Sequence, residues 1–396
     1  MSVMRCADGL AVDSDLVHAA ERATRQASSR LGRRPDLAAI FACGPEPDDT
    51  AAALERSAAM SGATTVVGCS AAGVIGDGRG VELSSSVSVW VAELPEVALR
   101  SFHLEVLRTS ESIAVVGMPT RSVEDRVAVL LVDPYSFPVD AFVEQTNEAL
   151  PGLPLSGGLA SGLRGAGSTR LLVDGVVHDR GAVGVVLGGD VSLAALVSQG
   201  CRPVGPAMTV TAAEGNVLLE LAGVPATEKL QRILTDLPPQ EQAMVSGGLQ
   251  IGVAMDEYVD EFSLGDFLVR GVVGAEPARR GLVVGDVVQV GQTVQFQVRD
   301  ADTAAADLSV TLEQARPVAP VRGALLFSCT GRGSSLFTTP DHDVRLVKAG
   351  LGAGGVAGFF AAGEIGPVGG RNHLHGFTAS ILVFGSAGSS AGTLTP

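Results

Sequence analysis

Short apolar segments alternate with amphipathic ones along the first hundred residues. Between Ser14 and Leu31, five apolar residues share one helical face: Leu16, Ala20, Ala23, Ala27 and Leu31. This spacing predicts a helix that covers a sheet. The segments "DLAAIFACG", "TTVVGCSAAG" and "SSVSVWVAEL" have the length and composition of buried strands, and "DDTAAALERSAAMSG" has helix signals at both ends. The pattern predicts the order strand, helix, strand, glycine loop, strand.

The same order returns near the other end, in "RGALLFSCTG", "DHDVRLVKAG", "GVAGFFAAGEIG" and "HGFTASILVF". Identical residues stand at one constant offset in the two glycine loops: Gly68, Ala71, Ala72, Gly73, Ile75 and Gly76 against Gly358, Ala361, Ala362, Gly363, Ile365 and Gly366. This match indicates an internal duplication. The alternative is chance recurrence in a chain with 50 glycines. A third echo, "VAVLLVDP" with "PLSGGLASG", is too weak to carry a conclusion.

The middle of the chain is rich in strands and turns, with a hairpin signal at Asp174-Gly175 and a helix, "ATEKLQRILTDLPP", stopped by Pro238. We predict an α/β fold of two related lobes, with mixed β-sheets covered by helices and built from a duplicated strand-helix-strand-strand unit. The first domain covers residues 1–225, with the N-terminal covering helix. The second covers residues 226–396 and ends in a flexible tail, "GSAGSSAGTLTP".

Composition narrows the classes of function. Hydrophobic residues make up 46% and charged residues 18%, which is typical of a globular protein. The net charge of −15 argues against nucleic acid as a partner. Five cysteines without a C-x-x-C spacing argue against a disulfide framework or a zinc ribbon and favour a reducing compartment. The sequence shows no signal peptide and no membrane-spanning stretch, so we expect a cytoplasmic protein with no membrane partner.

Several motifs, taken in order, resemble the FIST family: "VVGCSAAGVIG", "TVTAAEGNVLLELAGVPA", "FLVRGVVG", "ALLFSCTGRG" and "GFFAAGEIGP...NHLHGFT". They cover the chain from about Pro35 to about Phe384 as a FIST N part followed by a FIST C part. The resemblance implies an intracellular sensory module that binds a small ligand, with amino acids or related metabolites as candidates. Some relatives are haem-binding nitric oxide sensors, which makes haem an alternative cofactor. No output domain is evident, so we expect signalling through a separate protein partner.

The candidate ligand site lies in the C-terminal copy. Arg332 and Glu364 are charged where the N-terminal copy has Glu46 and Val74, so only one copy combines a guanidinium with a carboxylate. The guanidinium could bind the carboxylate of an amino acid, and the carboxylate of Glu364 could pair with its ammonium group. Alternatively, the two side chains form a salt bridge with each other or with a helix end. The proposed site is completed by Asn372, His375 and Cys329, by backbone at Gly363 and Gly366, and by Ser70 in the first glycine loop.

Cys329 and the histidines allow more than one interpretation. Cys329 lies near Arg332 and is either a reactive thiol or a small buried residue. His373 and His375 would share one side of a strand, where they could bind a metal or a haem, or His375 could anchor the glycine loop. No third ligand stands at a typical offset.

Enzyme motifs are weak, which leaves a sensor or a protein-interaction adaptor without a ligand. Ser70 lacks the G-x-S-x-G spacing, "GLGAGG" follows a helix, and Asp133 has no evident catalytic partner. We therefore expect no enzymatic activity.

Overall fold

A computed structural model describes residues 3–109, 113–246, 248–259, 261–315 and 320–385. The chain forms two compact units. The first consists of Met1–Ser198, Leu308–Leu374 and Thr378–Pro396, and the second of Gln199–Asp307 and His375–Phe377. The predicted tail lies, from Ser386 onward, outside the described residues.

The first unit opens with a strand, a covering helix, a strand-helix-strand motif, a hairpin and a returning strand. In chain order these are β1 (Arg5–Val12), α1 (Leu16–Leu31), β2 (Leu37–Cys43), α2 (Pro47–Ser61), β3 (Thr65–Ser70), β4 (Gly73–Gly76), β5 (Arg79–Glu82) and β6 (Ser86–Glu93). Helix α1 is capped by the side chain of Asp15, which accepts a hydrogen bond from the His18 N–H. Strands β2 and β3 are parallel because α2 carries the chain back between them.

A second strand-helix-strand repeat follows directly, with a strand in the place of helix α1 and otherwise the same order of elements. It consists of β7 (Val97–Arg108), β8 (Ile113–Val116), β9 (Asp125–Val132), α3 (Val139–Ala149), β10 (Leu155–Leu159), β11 (Leu171–Val173), β12 (Val176–His178) and β13 (Ala182–Gly189). Strand β14 (Ser192–Ser198) then leads into the second unit. The predicted Asp174-Gly175 hairpin is confirmed between β11 and β12.

The second unit is an antiparallel sheet with two helices. Its elements are β15 (Cys201–Pro203), β16 (Met208–Glu214), β17 (Val217–Leu221), β18 (Val224–Pro225), α4 (Ala226–Asp236), α5 (Pro239–Ser246), β19 (Leu249–Ala254), β20 (Phe267–Glu276), β21 (Gly281–Val284) and β22 (Thr293–Arg299), with a 3-10 turn at Pro277–Arg279. Strand β22 pairs with both β16 and β19, so the sheet closes on itself. Helix α4 ends before Pro238, as predicted.

The chain returns to the first unit through α6 (Ala301–Gln314) and forms a third repeat. Its elements are β23 (Val321–Cys329), α7 (Gly333–Leu336), α8 (His342–Leu351), β24 (Gly355–Ala361), β25 (Glu364–Val368), β26 (Arg371–His375) and β27 (Ala379–Gly385). Strands β23 and β24 are parallel, and β27 returns antiparallel to β23.

The three repeats exchange their hairpins in a cycle. The three sheets run β1-β6-β2-β3-β11-β12, β8-β7-β13-β9-β10-β25-β26 and β14-β27-β23-β24-β4-β5. In each sheet, the edge hairpin next to the second parallel strand (β11–β12, β25–β26 or β4–β5) therefore comes from another repeat. The predicted α/β architecture with mixed sheets is confirmed. The duplication corresponds to the first and third repeats, and the segment set aside as a weak echo is a further repeat of the same unit.

One glycine recurs in all three repeats because two strands approach each other closely there. Gly68, Gly157 and Gly358 each stand beside a residue of the neighbouring parallel strand. A Cβ atom on these glycines would lie only 2.2, 1.9 and 1.7 Å, respectively, from that residue's carbonyl oxygen. The shared glycines are thus a steric requirement of the repeat.

Candidate functional site

An open cavity of the first unit lies where the parallel strands of all three repeats end. Its lining includes residues that terminate or directly follow six strands: Cys43–Pro45 at β2, Ala71 and Ala72 after β3, Pro134 and Tyr135 after β9, Ala160–Arg164 after β10, Thr330 after β23 and Ala362 after β24. Leu83–Ser85 complete the wall. We call this cavity the strand-end cleft. Its volume is about 560 Å³, which is within the range of small-molecule sites.

Ser161 joins the three repeats at this point. It is equivalent to Ala72 in the first repeat and Ala362 in the third, and only this one of the three positions has a hydroxyl. Its Oγ accepts a hydrogen bond from the Ala72 N–H at 2.8 Å and donates one to the Phe360 carbonyl oxygen. Its own N–H donates to the carbonyl oxygen of Ser70 at 3.3 Å. The hydrogen bonds of Ser161 therefore connect residues of all three repeats at the base of the cleft.

The rim of the cleft exposes apolar surface. Leu83 is 89% exposed and has a positive φ of 56°, and Tyr135 is 47% exposed. Large apolar side chains held in the open beside a cavity are characteristic of a surface that binds something. Arg164 belongs to the segment 163–170, which lengthens the glycine loop of the second repeat alone. The lining thus combines two exposed apolar groups, several hydroxyls and one cation.

Arg332 lies buried in the third repeat, where it pairs with Asp343 and not with Glu364. Its Nε and Nη2 donate to the two carboxylate oxygens of Asp343 at 2.7 and 3.0 Å. Its guanidinium carbon lies 5.4 Å from the centre of the Phe337 ring. Burial alone would raise the pKa of Asp343, but the charge of Arg332 and hydrogen bonds from His342, Arg332 and Ser328 hold that pKa below its usual range. This ion pair fixes the loop after β23 to the start of α8.

Glu364 is also fully buried, at a position where the other repeats have Val74 and Leu171. Its Oε2 accepts hydrogen bonds from the backbone N–H and the hydroxyl of Thr378, at 3.1 and 2.9 Å. Burial raises its pKa to about 8, against the opposing effects of hydrogen bonds from Thr378 and Cys329 and of the Arg332 charge. Burial therefore favours the protonated, uncharged form of this side chain.

The expectation that Arg332 and Glu364 face an open cleft is corrected by their positions. Both side chains are 0% exposed, and neither lines any of the cavities described here. Each has one buried polar atom, Nη1 or Oε1, without a hydrogen-bond partner in the described part of the chain. Thr330, which lines the strand-end cleft, is only two residues from Arg332. The cleft and the predicted pair are thus adjacent in the chain, while only the cleft is open.

The remaining predicted site residues are divided between the two ends of the sheets. Ser70 ends β3 next to the cleft, and its Oγ accepts a hydrogen bond from the Arg170 N–H. The carbonyl of Gly363 accepts one from the Leu159 N–H, which links β10 to the third glycine loop. Asn372 bonds to the backbone of Leu153 and Leu155 at the other end of β10.

Gly366, Cys329 and His375 are buried within strands or at their ends. A Cβ on Gly366 would lie 2.3 Å from a methyl group of Val197, so this glycine allows close packing. Cys329 is 6% exposed and hydrogen-bonds to Glu364. His375 ends β26 and belongs to the second unit, whereas His373 is half-buried on the same strand.

The described cavities do not combine a histidine ligand with an apolar pocket large enough for a porphyrin. Histidine is not among the residues that line the strand-end cleft. The cavity beside His342 has a volume of only about 180 Å³, too small for a porphyrin. A third cavity is lined by His103 and His178, whose rings stack 3.7 Å apart. Apart from Gly181 and Val106, its other lining residues are polar or charged.

The described residues form neither a metal-ligand cluster nor a helix suited to a bilayer. Within them, no group of three or more His, Cys, Asp or Glu side chains is arranged to hold a metal ion. Among the helices that they form, none has both the length and the apolar character needed to cross a bilayer.

Replacing Glu364 by glutamine is expected to change how stability depends on pH. The wild-type carboxyl has a pKa of about 8 when folded and an ordinary value of 4.5 when unfolded, so only the unfolded state ionises in between. The stability advantage of the protonated group is full below about pH 4.5 and is lost progressively up to about pH 8. Urea unfolding, followed by the fluorescence of Trp90, should show wild type losing stability relative to Glu364→Gln across this window. Parallel pH profiles would contradict this account.

Comparison with known families and proteins shows which family the chain belongs to. Residues 36–224 match the FIST N domain and residues 226–367 match the FIST C domain. The chain therefore belongs to the FIST family, whose domains are sensory modules of signal transduction. It is 42% identical over 385 residues to the uncharacterized protein Rv0628c of Mycobacterium tuberculosis, covering 96% of this chain and 100% of the relative. It is 41% identical over 384 residues to the uncharacterized protein Mb0898c of Mycobacterium bovis, covering 96% and 99%.

The cleft-lining residues Tyr135, Ser161 and Arg164 were not among the residues selected from the sequence. Two signals could have found them. The weak echo around "PLSGGLASG" marks a third repeat, and ligands of open α/β sheets bind beyond the carboxyl ends of the strands. Applied together, these signals direct attention to all six strand ends and not to one charged pair.

Proposed function

We propose that this protein is a sensory module that binds a small ligand in the strand-end cleft. The observation that carries the proposal is the convergence of six strand ends, from three repeats, on one open cavity of about 560 Å³. Because parallel strands direct their carboxyl ends to the same edge of a sheet, such convergence creates a concave site with accessible backbone. Membership of a sensory family supports a binding role over a catalytic one.

In this proposal, the buried residues Arg332, Glu364 and Cys329 do not contact the ligand but stabilise the wall of the cleft. Thr330 lines the cleft, and the buried ion pair of Arg332 with Asp343 holds the loop that follows it. The earlier hypothesis, in which Arg332 and Glu364 grip an amino acid directly, makes a different prediction for Glu364→Gln. Direct contact would abolish amino-acid binding in a calorimetric titration, whereas a supporting role would leave affinity in the cleft close to that of wild type.

A signal from the cleft would pass to a separate protein. A ligand in the cleft would contact Leu83–Ser85 and Thr330. The two segments that carry these residues are also joined by a hydrogen bond, which the Ser334 N–H donates to the carboxylate of Glu82 at 2.8 Å. These segments come from different repeats, so a ligand between them would act on the packing of one repeat against another. Ligand occupancy would in this way change the surface that a partner meets.

Filling the cleft should abolish ligand binding without unfolding the protein. Ala362 lines the cleft and its side chain is exposed, so Ala362→Trp can occupy the cavity at little cost to the core. The matched control is Ala59→Trp, on the exposed face of α2 and outside the cavities described above. In a thermal-shift screen of a metabolite library, ligands should stabilise wild type and Ala59→Trp but not Ala362→Trp. Equal shifts in all three proteins would remove the cleft from consideration.

A further inference from the structure

The lining of the strand-end cleft has a charge opposite to that of the whole chain. The protein contains 43 acidic residues and has a net charge of −15, yet neither Asp nor Glu is among the residues that line the cleft. The one charged side chain of the lining is Arg164. An open cavity without carboxylates in so acidic a protein therefore favours anions over cations.

Arg164 is available for a ligand. Its side chain is exposed and forms no ion pair or hydrogen bond with any residue that the structure describes. Many other arginines of the first unit are occupied, for example Arg100 by Asp125, Arg30 by Asp77 and Arg332 by Asp343. A guanidinium presents paired donors that match the oxygens of a carboxylate or phosphate. The segment 163–170 places this group at the cleft in the second repeat only.

Hydroxyl groups around the cleft add neutral donors. Ser84, Ser85, Thr330 and Tyr135 line the cavity, and their side-chain hydroxyls make no hydrogen bonds with other residues of the described ranges. With the exposed side chain of Leu83, they provide donors for oxyanion atoms and apolar contact for the rest of a ligand.

Acidic groups close to the cleft in sequence do not line it. Glu82 precedes Leu83 and accepts a hydrogen bond from the Ser334 N–H. Asp133 precedes Pro134 and is fully buried, with Oδ1 accepting from the Tyr135 N–H and Oδ2 unpartnered in the described part of the chain. The lining therefore presents a cationic partner for a negative group and no carboxylate partner for an ammonium group.

We propose that the strand-end cleft takes a small organic oxyanion that has an apolar body and lacks an ammonium group, and that Arg164 pairs with the anionic group. This inference rests on the proposed ligand-binding function and specifies its ligand class. It differs from the amino-acid hypothesis because a zwitterion would bring an uncompensated ammonium group into the cleft.

The test uses aromatic probes that differ in the charge of their functional groups. 3-Phenylpropionate, phenylalanine, 3-phenylpropanamide and 3-phenylpropylamine share one carbon skeleton. Phenyl phosphate, which lacks the three-carbon chain, adds a phosphate ester on the same aromatic ring. Affinities for the full-length chain are measured by calorimetry or ligand-observed NMR in wild type, Arg164→Gln and Arg5→Gln. Arg5 is an exposed arginine on β1 outside the cleft, so its replacement changes the net charge equally.

We expect wild type to bind at least one of the two anionic probes about tenfold or more tightly than the zwitterion, the amide and the amine. Arg164→Gln should weaken that anion about tenfold, while Arg5→Gln changes it less than about twofold. Equal or tighter binding of the zwitterion, failure of both anions to bind, or an unchanged anion affinity in Arg164→Gln would overturn the inference.

Failure of the ligand class is distinguishable from failure of the proposed function. If a neutral or cationic compound binds wild type and Ala362→Trp blocks it, the cleft is a ligand site and only the preference for anions is wrong. If library compounds stabilise wild type and Ala362→Trp equally, the site itself is wrong, and the inference falls with it. The Asp133→Asn variant adds a further check, because loss of amino-acid binding in it would assign the ammonium partner that the inference denies.

Discussion

Replacing Gly358 by alanine is expected to destabilise the first unit by at least about 4 kcal/mol, or to prevent folding. A Cβ at this position would lie 1.7 Å from the carbonyl oxygen of Leu326 and 2.6 Å from its carbonyl carbon, both backbone atoms of the neighbouring parallel strand. The two strands cannot separate without breaking their ladder and moving the buried Phe359. Urea unfolding followed by Trp90 fluorescence measures the effect, because this single tryptophan is buried in the first unit.

The matched control is Gly274→Ala. Gly274 also lies in a strand, β20 of the second unit, but no atom lies within 4 Å of where its Cβ would be. The Trp90 transition should therefore shift by no more than about 0.5 kcal/mol. If Gly358→Ala were as mild as this control, the close approach of β23 and β24 would be wrong, and with it the basis for the glycine shared by all three repeats.

Replacing Asp343 by asparagine is expected to cost about 3 to 5 kcal/mol, because it leaves the buried Arg332 cation without its anionic partner. The side chain keeps its shape, so the effect arises from charge and hydrogen bonding. The double replacement Arg332→Met with Asp343→Leu removes both charges and should be more stable than Asp343→Asn alone. Both variants are measured by the same Trp90 unfolding transition.

An exposed ion pair provides the comparison for Asp343→Asn. Glu144 and Arg371 lie 2.6 Å apart at the surface of the first unit, where solvent screens their attraction. Glu144→Gln should therefore unfold close to wild type. If Asp343→Asn behaved like Glu144→Gln, Arg332 would not be held as a buried cation, and the proposed support of the Thr330 loop would lose its basis.

Strong apolar periodicity made much of the fold predictable from the sequence. Helix α1 and strands β2, β3 and β6 follow the predicted segments closely, since each buries a continuous apolar face. Hairpin β4–β5 was missed because β5, Arg79–Glu82, is short, polar and only partly buried at a sheet edge. The exchange of hairpins between repeats could not be predicted, because it depends on which sheet edge each hairpin meets in space.

The accessibility of Glu364 was misjudged for an identifiable physical reason. Backbone at Gly363 and Gly366 was assigned to the predicted site, because glycines can leave backbone exposed for a ligand to approach. In the structure, Gly358 and Gly366 are small because other chain segments press against them, so the same composition reflects close packing. Glycine alone does not distinguish these two situations, since both require the absence of a side chain.

The partner of Arg332 illustrates the limits of pairing charges from sequence. Arg332 was matched with Glu364 through the repeat alignment, whereas its carboxylate partner, Asp343, lies in the first turn of α8. Asp341 stands at the N-cap position of this helix, but its carboxylate accepts hydrogen bonds from the Gly80 N–H and from Arg345 and does not cap the helix. Which acid serves which role depends on the loop between β23 and α8, whose path the periodicity does not specify.

The most direct test of the account is a crystal structure of the protein with a ligand from the metabolite screen. The proposed function predicts electron density for the ligand between Tyr135, Ser161 and Thr330, enclosed by the ends of the six parallel strands. Density instead in the smaller cavity beside Glu82 and His342, or in the second unit, with the strand-end cleft containing only solvent, would contradict the central claim.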